Sequence, residues 1–108
     1  MNRAPIDEIK ARIRQRNYLF TLHAGDRMTE RRISVKEFEE AILSEAVVAI
    51  EDYPEDARGP SCLLFGTTRT GRPLHMHCTY PPDIAVITVY EPRPEEWINW
   101  KTRAGGKK

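Results

Sequence analysis

Three residues near the N-terminus have the types and the spacing of a site that handles phosphate. His23, Arg27 and Arg31 follow one another at intervals of four, which places them on one face of an α-helix. Cleavage of RNA without a metal needs a base for the 2′-hydroxyl, an acid for the leaving 5′-oxygen and a cation for the charge on phosphorus. Histidine can transfer both protons near neutral pH, and arginine can hold two phosphate oxygens at once. The row therefore predicts phosphate chemistry.

The same row also has a purely structural interpretation. His23 can satisfy local backbone groups at the start of a helix, as polar residues often do there. The two arginines can form a solvated face, or can pair with Asp26 or Glu30 within the same helix. The residues alone leave both interpretations open.

A second pair of histidines lies in the segment PLHMHCTY. Side chains two apart on a strand point to the same face, so His75 and His77 would lie side by side. We predict that His75 is a catalytic partner, and that His77, Thr88 and Tyr90 contact RNA or phosphate. The pair could instead chelate zinc with His23 as a third ligand, but no acidic residue flanks it in sequence. No metal or other cofactor is therefore predicted.

Helices are predicted in the N-terminal part of the chain, which contains the row of His23, Arg27 and Arg31. Apolar residues at helical spacing predict a basic N-terminal helix over residues 4–16, and the histidine and arginine row predicts a short helix over 23–32. Ser34 followed three residues later by Glu37 is a capping box, which predicts the start of a helix over 34–45. The segment NYLFTL between the first two helices reads as a short strand or an extended connection.

Four short strands are predicted after the helices, and one of them contains His75 and His77. Apolar or alternating runs over residues 46–90 are separated by the turn-rich segments PEDARGP, RTG and PPD, which indicates an antiparallel meander. The order predicts an α+β fold, with the N-terminal helices on one face of a four-stranded antiparallel sheet. A hairpin centred on Thr70 pairs Cys62 with Cys78, Leu63 with His77, Leu64 with Met76 and Phe65 with His75.

The register of the last strand decides which residues join the histidines. A connection one residue longer than the symmetric one would place Thr88 and Tyr90 on the histidine face, and Ile87 and Val89 in the core. The symmetric alternative would bury two hydroxyl groups that need partners, so the first register is preferred.

Composition sets the class of protein. The chain has 108 residues and two cysteines, which suits one domain over residues 1–108 and excludes a zinc site built on paired CxxC motifs. No apolar run approaches the ~20 residues that cross a bilayer, so a cytoplasmic protein without a membrane partner is predicted. The segment 101–108, which includes RAGGKK, is predicted to be a disordered tail.

The net charge of +1 conceals a segregation along the chain. Residues 1–32 carry eight Lys or Arg against four Asp or Glu, residues 33–60 carry two against eight, and residues 61–108 carry seven against four. The basic N-terminal segment and the basic C-terminal half could form one positive surface, so RNA remains a possible partner despite a nearly neutral total. A solvated surface on which positive and negative side chains are mixed would explain the same charge counts.

Several segments carry a resemblance to a known family. FTLHAGDRMTERRISVKEFEEAILSEAVVAIEDYPED, PSCLLFGTTRTGRPLHMHC and IAVITVYEP resemble the bacterial domain-of-unknown-function 4258 family, which is marked by an HxxxR motif that His23 and Arg27 match. That family resembles in fold the small ribonucleases grouped with barnase, EndoU, colicin endonucleases and RelE-type toxins, whose helices precede a sheet that binds RNA. Its members often look like toxins paired with a small antitoxin.

The resemblance implies a toxin-like, metal-independent endoribonuclease that acts by attack of the 2′-hydroxyl. His23, Arg27 and His75 are then the expected catalytic residues. A small zinc-finger or helix-turn-helix antitoxin is the expected protein partner, and the expected phosphate-binding residues are Arg31, His77, Thr88 and Tyr90. The alternative is a non-catalytic interaction module that uses the acidic helix over 34–45 and an exposed sheet face to bind a protein.

Overall fold

The computed structural model describes residues 4–104, and within them three helices precede most of the sheet. None of these helices is long and apolar enough to cross a membrane. The helices are α1 (Ile6–Arg14), α2 (Leu22–Arg31) and α3 (Val35–Ile42). The strands are β1 (Tyr18–Phe20), β2 (Val48–Tyr53), β3 (Ser61–Thr67), β4 (Pro73–Thr79), β5 (Ile84–Tyr90), β6 (Trp97–Ile98) and β7 (Thr102–Arg103).

Side-chain caps fix where α2 and α3 begin. The Ser34 hydroxyl accepts from the Glu37 amide at 3.0 Å, and the Glu37 carboxylate accepts from the Ser34 amide at 3.0 Å, which confirms the predicted capping box. The Thr21 hydroxyl caps α2 by accepting from the Ala24 amide at 3.0 Å. Helix α2 runs unbroken through Gly25, so its row of basic residues is helical as predicted.

The main sheet confirms the α+β class but has five strands in the order β1-β5-β4-β3-β2, not four. Strands β2 to β5 form the predicted antiparallel meander, and β1 adds to β5 in parallel. The fifth strand forms because Tyr18 and Phe20 turn their rings onto Phe38 of α3, at centroid distances of 5.7 and 5.2 Å. This packing holds the three-residue strand against β5.

The register places both histidines on one face as predicted. All four pairs predicted between β3 and β4 are present, and Thr88 and Tyr90 lie opposite His77 and His75. The core position predicted for Ile87 is wrong, because the register between β4 and β5 shifts at this point and pairs Cys78 with Val86. Ile87 is then the extra residue of a β-bulge and Val86 takes its place in the core, while Val89 is buried as predicted.

The helices cover the other face of the sheet. Phe38 and Ile42 of α3 are fully buried against Leu64 and Met76 of the sheet. Gly66 allows α3 to approach closely, because a Cβ atom at this position would lie 2.1 Å from the carbonyl oxygen of Ala41. This face is therefore closed to ligands.

The C-terminal segment folds back over the sheet. Strands β6 and β7 pair as a two-stranded hairpin, and the Ala104 amide donates to the Glu96 carbonyl at 2.8 Å. This order differs from the disordered tail predicted over residues 101–108, because Arg103 is held by an ion pair with Glu51 at 2.7 Å and lies over the Trp97 ring. Residues 105–108 lie outside the described residues.

Candidate functional site

The sheet face opposite the helices divides into two halves. In the covered half, the β6–β7 hairpin lies over His75. In the open half, a cleft of about 640 Å³ surrounds His77. The cleft is lined by residues from β2, the β2–β3 loop, β3, β4, β5 and β7, namely Asp52, Tyr53, Pro54, Glu55, Asp56, Arg58, Leu63, His77, Thr88, Tyr90 and Arg103.

In the covered half, both ring nitrogens of His75 are occupied. Its Nε2 atom lies 2.6 Å from the Trp100 carbonyl oxygen and its Nδ1 atom 3.1 Å from the Tyr90 hydroxyl, while the Trp97 ring packs edge-on at 4.4 Å. A carbonyl can only accept, so Nε2 carries the proton and Tyr90 donates to Nδ1. Burial lowers the pKa of His75, and the bond to Trp100 opposes this only in part. The predicted catalytic residue His75 is thus a neutral, fully buried side chain.

The hairpin is anchored by a cluster of polar groups at the border of the two halves. Arg103 donates to both carboxylate oxygens of Glu51, at 2.7 and 3.1 Å, and Tyr53 donates to the same carboxylate. Burial and the bond to Glu51 raise the pKa of Tyr53 to about 12. Burial opposes ionisation of Glu51, but the bonds from Arg103 and Tyr53 outweigh it and lower the pKa of Glu51. At neutral pH these charged groups therefore hold the β6–β7 hairpin against the sheet.

In the open half, His77 keeps access to the cleft. Its side chain is 14% exposed, and its Nε2 atom lies 2.9 Å from the Ser61 hydroxyl, which in turn lies 2.7 Å from Oδ2 of Asp56. The Tyr53 ring packs against the imidazole at 5.4 Å. Burial, and then the charge of Arg58, lower the pKa of His77, so the ring is neutral near pH 7. A neutral, partly exposed imidazole can act as a proton acceptor.

The β2–β3 loop holds Asp56 rigidly beside this histidine. The Arg58 guanidinium donates to both carboxylate oxygens at 3.1 and 3.0 Å, and the Arg58 amide donates at 3.0 Å. These bonds, with the Ser61 hydroxyl, hold the pKa of Asp56 well below its usual range. Gly59, at a φ of 104°, makes the turn that returns the chain to Ser61. Asp56 is therefore ionised and fixed in position.

Arg31, the last residue of α2, lies beside the cleft. Strand β1 pairs with β5 only as far as Val86, so the outer edge of β5 is open beyond it. The Arg31 guanidinium occupies that edge, where it donates to the Val89 carbonyl at 2.9 Å and lies 3.5 Å from the Thr88 hydroxyl. Thr88 pairs across the sheet with His77. Three of the predicted phosphate-binding residues thus line the cleft, namely His77, Thr88 and Tyr90, and the fourth, Arg31, lies beside it next to Thr88.

His23 and Arg27 lie elsewhere. Both are exposed on α2, whose buried residue Met28 faces the helix side of the sheet. Arg27 forms an ion pair with Glu30 at 3.2 Å, as the structural interpretation expects. No contact within residues 4–104 joins either side chain to the cleft, and their catalytic role stays a prediction.

A zinc site of the kind considered for the histidines does not form. Among the described residues, no three His, Cys, Asp or Glu side chains come together in a way that could hold a metal ion. His75 has no free nitrogen, because its two ring nitrogens bond to Tyr90 and Trp100. The cleft presents imidazole, hydroxyl, carboxylate and guanidinium groups.

Sequence reasoning did not single out several residues that line or support the cleft. Ser61 could have been found, because the predicted hairpin register already places it on the histidine face, two residues before Leu63. Asp56 and Arg58 lie in a segment whose composition signals only a turn. Arg103 lies in the segment that was expected to be disordered, where no local pattern marks a contact with Glu51.

Comparison with known proteins gives a family but no activity. No curated protein and no solved structure matches the chain. The family model described as Domain of unknown function (DUF4258) matches residues 20–91, two thirds of the 108 residues. The matched region holds α2, α3 and the β2–β5 meander, and therefore both histidines of β4. As the resemblance of its sequence predicts, the chain belongs to the DUF4258 family.

Proposed function

We propose that the open cleft binds single-stranded RNA and cleaves it through attack of the 2′-hydroxyl, without a metal ion. The observation that supports this best is the position of His77. A neutral imidazole lies in the cleft beside Thr88, and Arg31 contacts Thr88 from the rim. A base and a cation are the two groups that the reaction needs first.

Arg31 is the cation best suited to a phosphate. Arg58 and Arg103 line the cleft itself, but each is paired with a carboxylate, Asp56 and Glu51 respectively. Arg31 instead donates to neutral oxygen atoms, and no carboxylate within residues 4–104 pairs with it. Its charge is therefore not neutralised, and its guanidinium can hold a phosphate oxygen.

The side of the cleft formed by β2 and β3 suits a nucleobase. Tyr53 and Leu63 present an aromatic ring and an apolar side chain there, next to His77. A base stacked on an aromatic ring contributes about 1–3 kcal/mol to binding and does so for every base. Stacking at Tyr53 would place the adjoining ribose and phosphate toward Thr88 and Arg31.

The proton transfers begin with the ionisation state of His77. Neutral His77 accepts the proton of the 2′-hydroxyl as that oxygen attacks phosphorus, and the bond from phosphorus to the 5′-oxygen breaks. The Tyr90 hydroxyl already donates its proton to Nδ1 of His75, so the leaving 5′-oxygen takes its proton from solvent. Arg31 stabilises the charge on phosphorus. The products are a 2′,3′-cyclic phosphate and a 5′-hydroxyl.

The direct test is cleavage of labelled RNA by the purified protein, with analysis of the product ends. We expect cyclic phosphate ends, activity that persists in EDTA, and intact DNA, which lacks the 2′-hydroxyl. His77→Ala should lower the rate by at least about a hundredfold, the scale of a lost proton-transfer group. Activity that disappears in EDTA, or cleavage of DNA, would contradict the proposed chemistry.

A toxin with a small antitoxin partner, acting on RNA in the cytoplasm, is the setting that the family resemblance favours for this activity. Growth arrest on expression, relieved by His77→Ala, would support it. A protein that binds no RNA but captures a defined partner protein would instead favour the interaction module.

A further inference from the structure

A single hydroxyl separates His77 from the carboxylate of Asp56. Ser61 is fully buried, and its Oγ atom lies 2.9 Å from Nε2 of His77 and 2.7 Å from Oδ2 of Asp56. The carboxylate itself is 3.8 Å from the same imidazole nitrogen, beyond hydrogen-bond distance. The serine is thus the connection between the two groups.

The available protons determine the direction of this chain. Arg58 holds Asp56 in its ionised form, so the carboxylate can only accept hydrogen bonds. The Ser61 hydroxyl has one proton, and that proton is donated to Asp56. Its oxygen must therefore accept from His77, which places the proton of the neutral imidazole on Nε2.

The opposite ring nitrogen is left free for chemistry. Every buried side-chain nitrogen or oxygen among residues 4–104 has a hydrogen-bond partner. Within those residues Nδ1 of His77 has none, so it is accessible from the cleft that His77 lines. With the proton fixed on Nε2, the lone pair lies on Nδ1.

The charges around the ring favour this neutral form. Burial is the main factor that lowers the pKa of His77, Arg58 lowers it further, and the carboxylates of Asp56 and Glu51 oppose them. A carboxylate in direct contact would stabilise the imidazolium more strongly, because interaction between charges grows as their distance falls. The ionisable groups that line the cleft or act on the ring come from β2, the β2–β3 loop, β5 and β7, and they are Glu51, Asp52, Tyr53, Glu55, Asp56, Arg58, Tyr90 and Arg103.

We propose that Ser61 is a positioning residue that holds His77 as the Nε2-protonated tautomer and so makes Nδ1 the proton acceptor in the cleft. The role of Nδ1 in cleavage depends on the proposed function, whereas the tautomer does not. Ser61 touches no substrate in this arrangement, since its hydroxyl is fully used by His77 and Asp56.

Nuclear magnetic resonance of the ¹⁵N-labelled full chain measures the tautomer directly. Near pH 7, we expect long-range ¹H–¹⁵N spectra of the wild type to show the protonated type of shift at Nε2 of His77 and the unprotonated type at Nδ1. A proton on Nδ1, or a fully charged ring at that pH, would overturn the proposal even if no variant could be made.

Two variants connect the tautomer to the activity. Ser61→Ala should lose the strict Nε2 preference, shift the pH profile of RNA cleavage and lower the rate by about tenfold or more. Ser61→Thr keeps the hydroxyl and should restore both the tautomer and the rate. An unchanged tautomer and pH profile in folded Ser61→Ala would overturn the role of Ser61. A correct tautomer in a wild type that cleaves no RNA would instead reject only the proposed function.

Discussion

The two histidines of β4 have the same chemistry and lie two residues apart on one face of the sheet, yet their surroundings differ. His75 is sealed by the β6–β7 hairpin, with both ring nitrogens bonded to Trp100 and Tyr90. His77 bonds through one nitrogen to Ser61 and opens to a cleft. The position of a residue along the strand therefore determines the face of the sheet on which its side chain lies. Whether that side chain is accessible to a ligand depends on a segment that is distant in sequence.

The covered and open halves of the sheet face should differ most in how much a histidine substitution lowers the free energy of unfolding. His75→Ala would leave a cavity beneath Trp97 and remove the hydrogen-bond partner of Tyr90 and of the Trp100 carbonyl, which should cost about 2–4 kcal/mol. His77→Ala removes a partly exposed ring and should cost about 1 kcal/mol. Urea denaturation of both variants measures the contrast. Equal losses would show that the hairpin does not seal His75.

Acid should destabilise both halves through the same histidines. Burial lowers the pKa of His75 and His77, so below about pH 6.5 the unfolded chain binds more protons than the folded one. The free energy of unfolding should then fall as the pH drops, by up to about 1.4 kcal/mol per pH unit for each histidine. Asp56, whose pKa is also lowered, contributes only near its unfolded value of about 3.9 and below.

Urea denaturation between about pH 7.5 and pH 5.5 covers the histidine window without that of Asp56. His75→Gln and His77→Gln should each remove part of the slope. A free energy of unfolding that rises on acidification would mean that the rings are charged in the folded protein.

A smaller difference, in RNA binding, is expected between substitutions of two arginines of α2. Arg31 contacts Thr88 at the rim of the cleft, whereas Arg27 is paired with Glu30 on the exposed face. Arg31→Ala should weaken binding of every RNA sequence and reduce the slope of log affinity against log salt by about 0.7. Arg27→Ala is the matched control and should change both quantities less. Binding that does not depend on salt would contradict a phosphate contact at Arg31.

The smallest effect is expected for His23. Its side chain is exposed on α2 and contacts no cleft residue within the described part of the chain. The geometry predicts a nearly unchanged cleavage rate for His23→Ala, whereas the HxxxR interpretation predicts a loss of about a hundredfold. Rate measurements on this variant, with circular dichroism to check the fold, decide between them.

Sequence patterns that lie close to the elements they determine were sufficient to predict much of the fold. The capping box at Ser34 and the RTG turn lie within a few residues of what they determine, so α3 and the β3–β4 register could be predicted. Strand β1 could not be assigned with its partner, because three residues carry little periodicity and β5 begins 64 residues after β1 ends. The bulge at Ile87 depends on β4 and β5 together.

The candidate site was only partly predictable for a related reason. The alternation along β4 and β5 placed His77, Thr88 and Tyr90 on one face, which the structure shows. The burial of His75 depends on Trp97 and Trp100, which approach from a separate hairpin that the sequence did not reveal. Helical spacing linked His23 with Arg31, but only Arg31 lies where α2 meets the open edge of β5.

A crossed comparison of the two histidine variants tests the central claim most directly. The initial rate of RNA cleavage in EDTA is measured for wild type, His77→Ala and His75→Ala, each corrected for its folded fraction. We predict a loss of at least about a hundredfold for His77→Ala, and for folded His75→Ala a rate within about tenfold of wild type. A His77→Ala protein that retains full activity, or a loss confined to His75→Ala, would contradict the assignment of the open cleft as the site of cleavage.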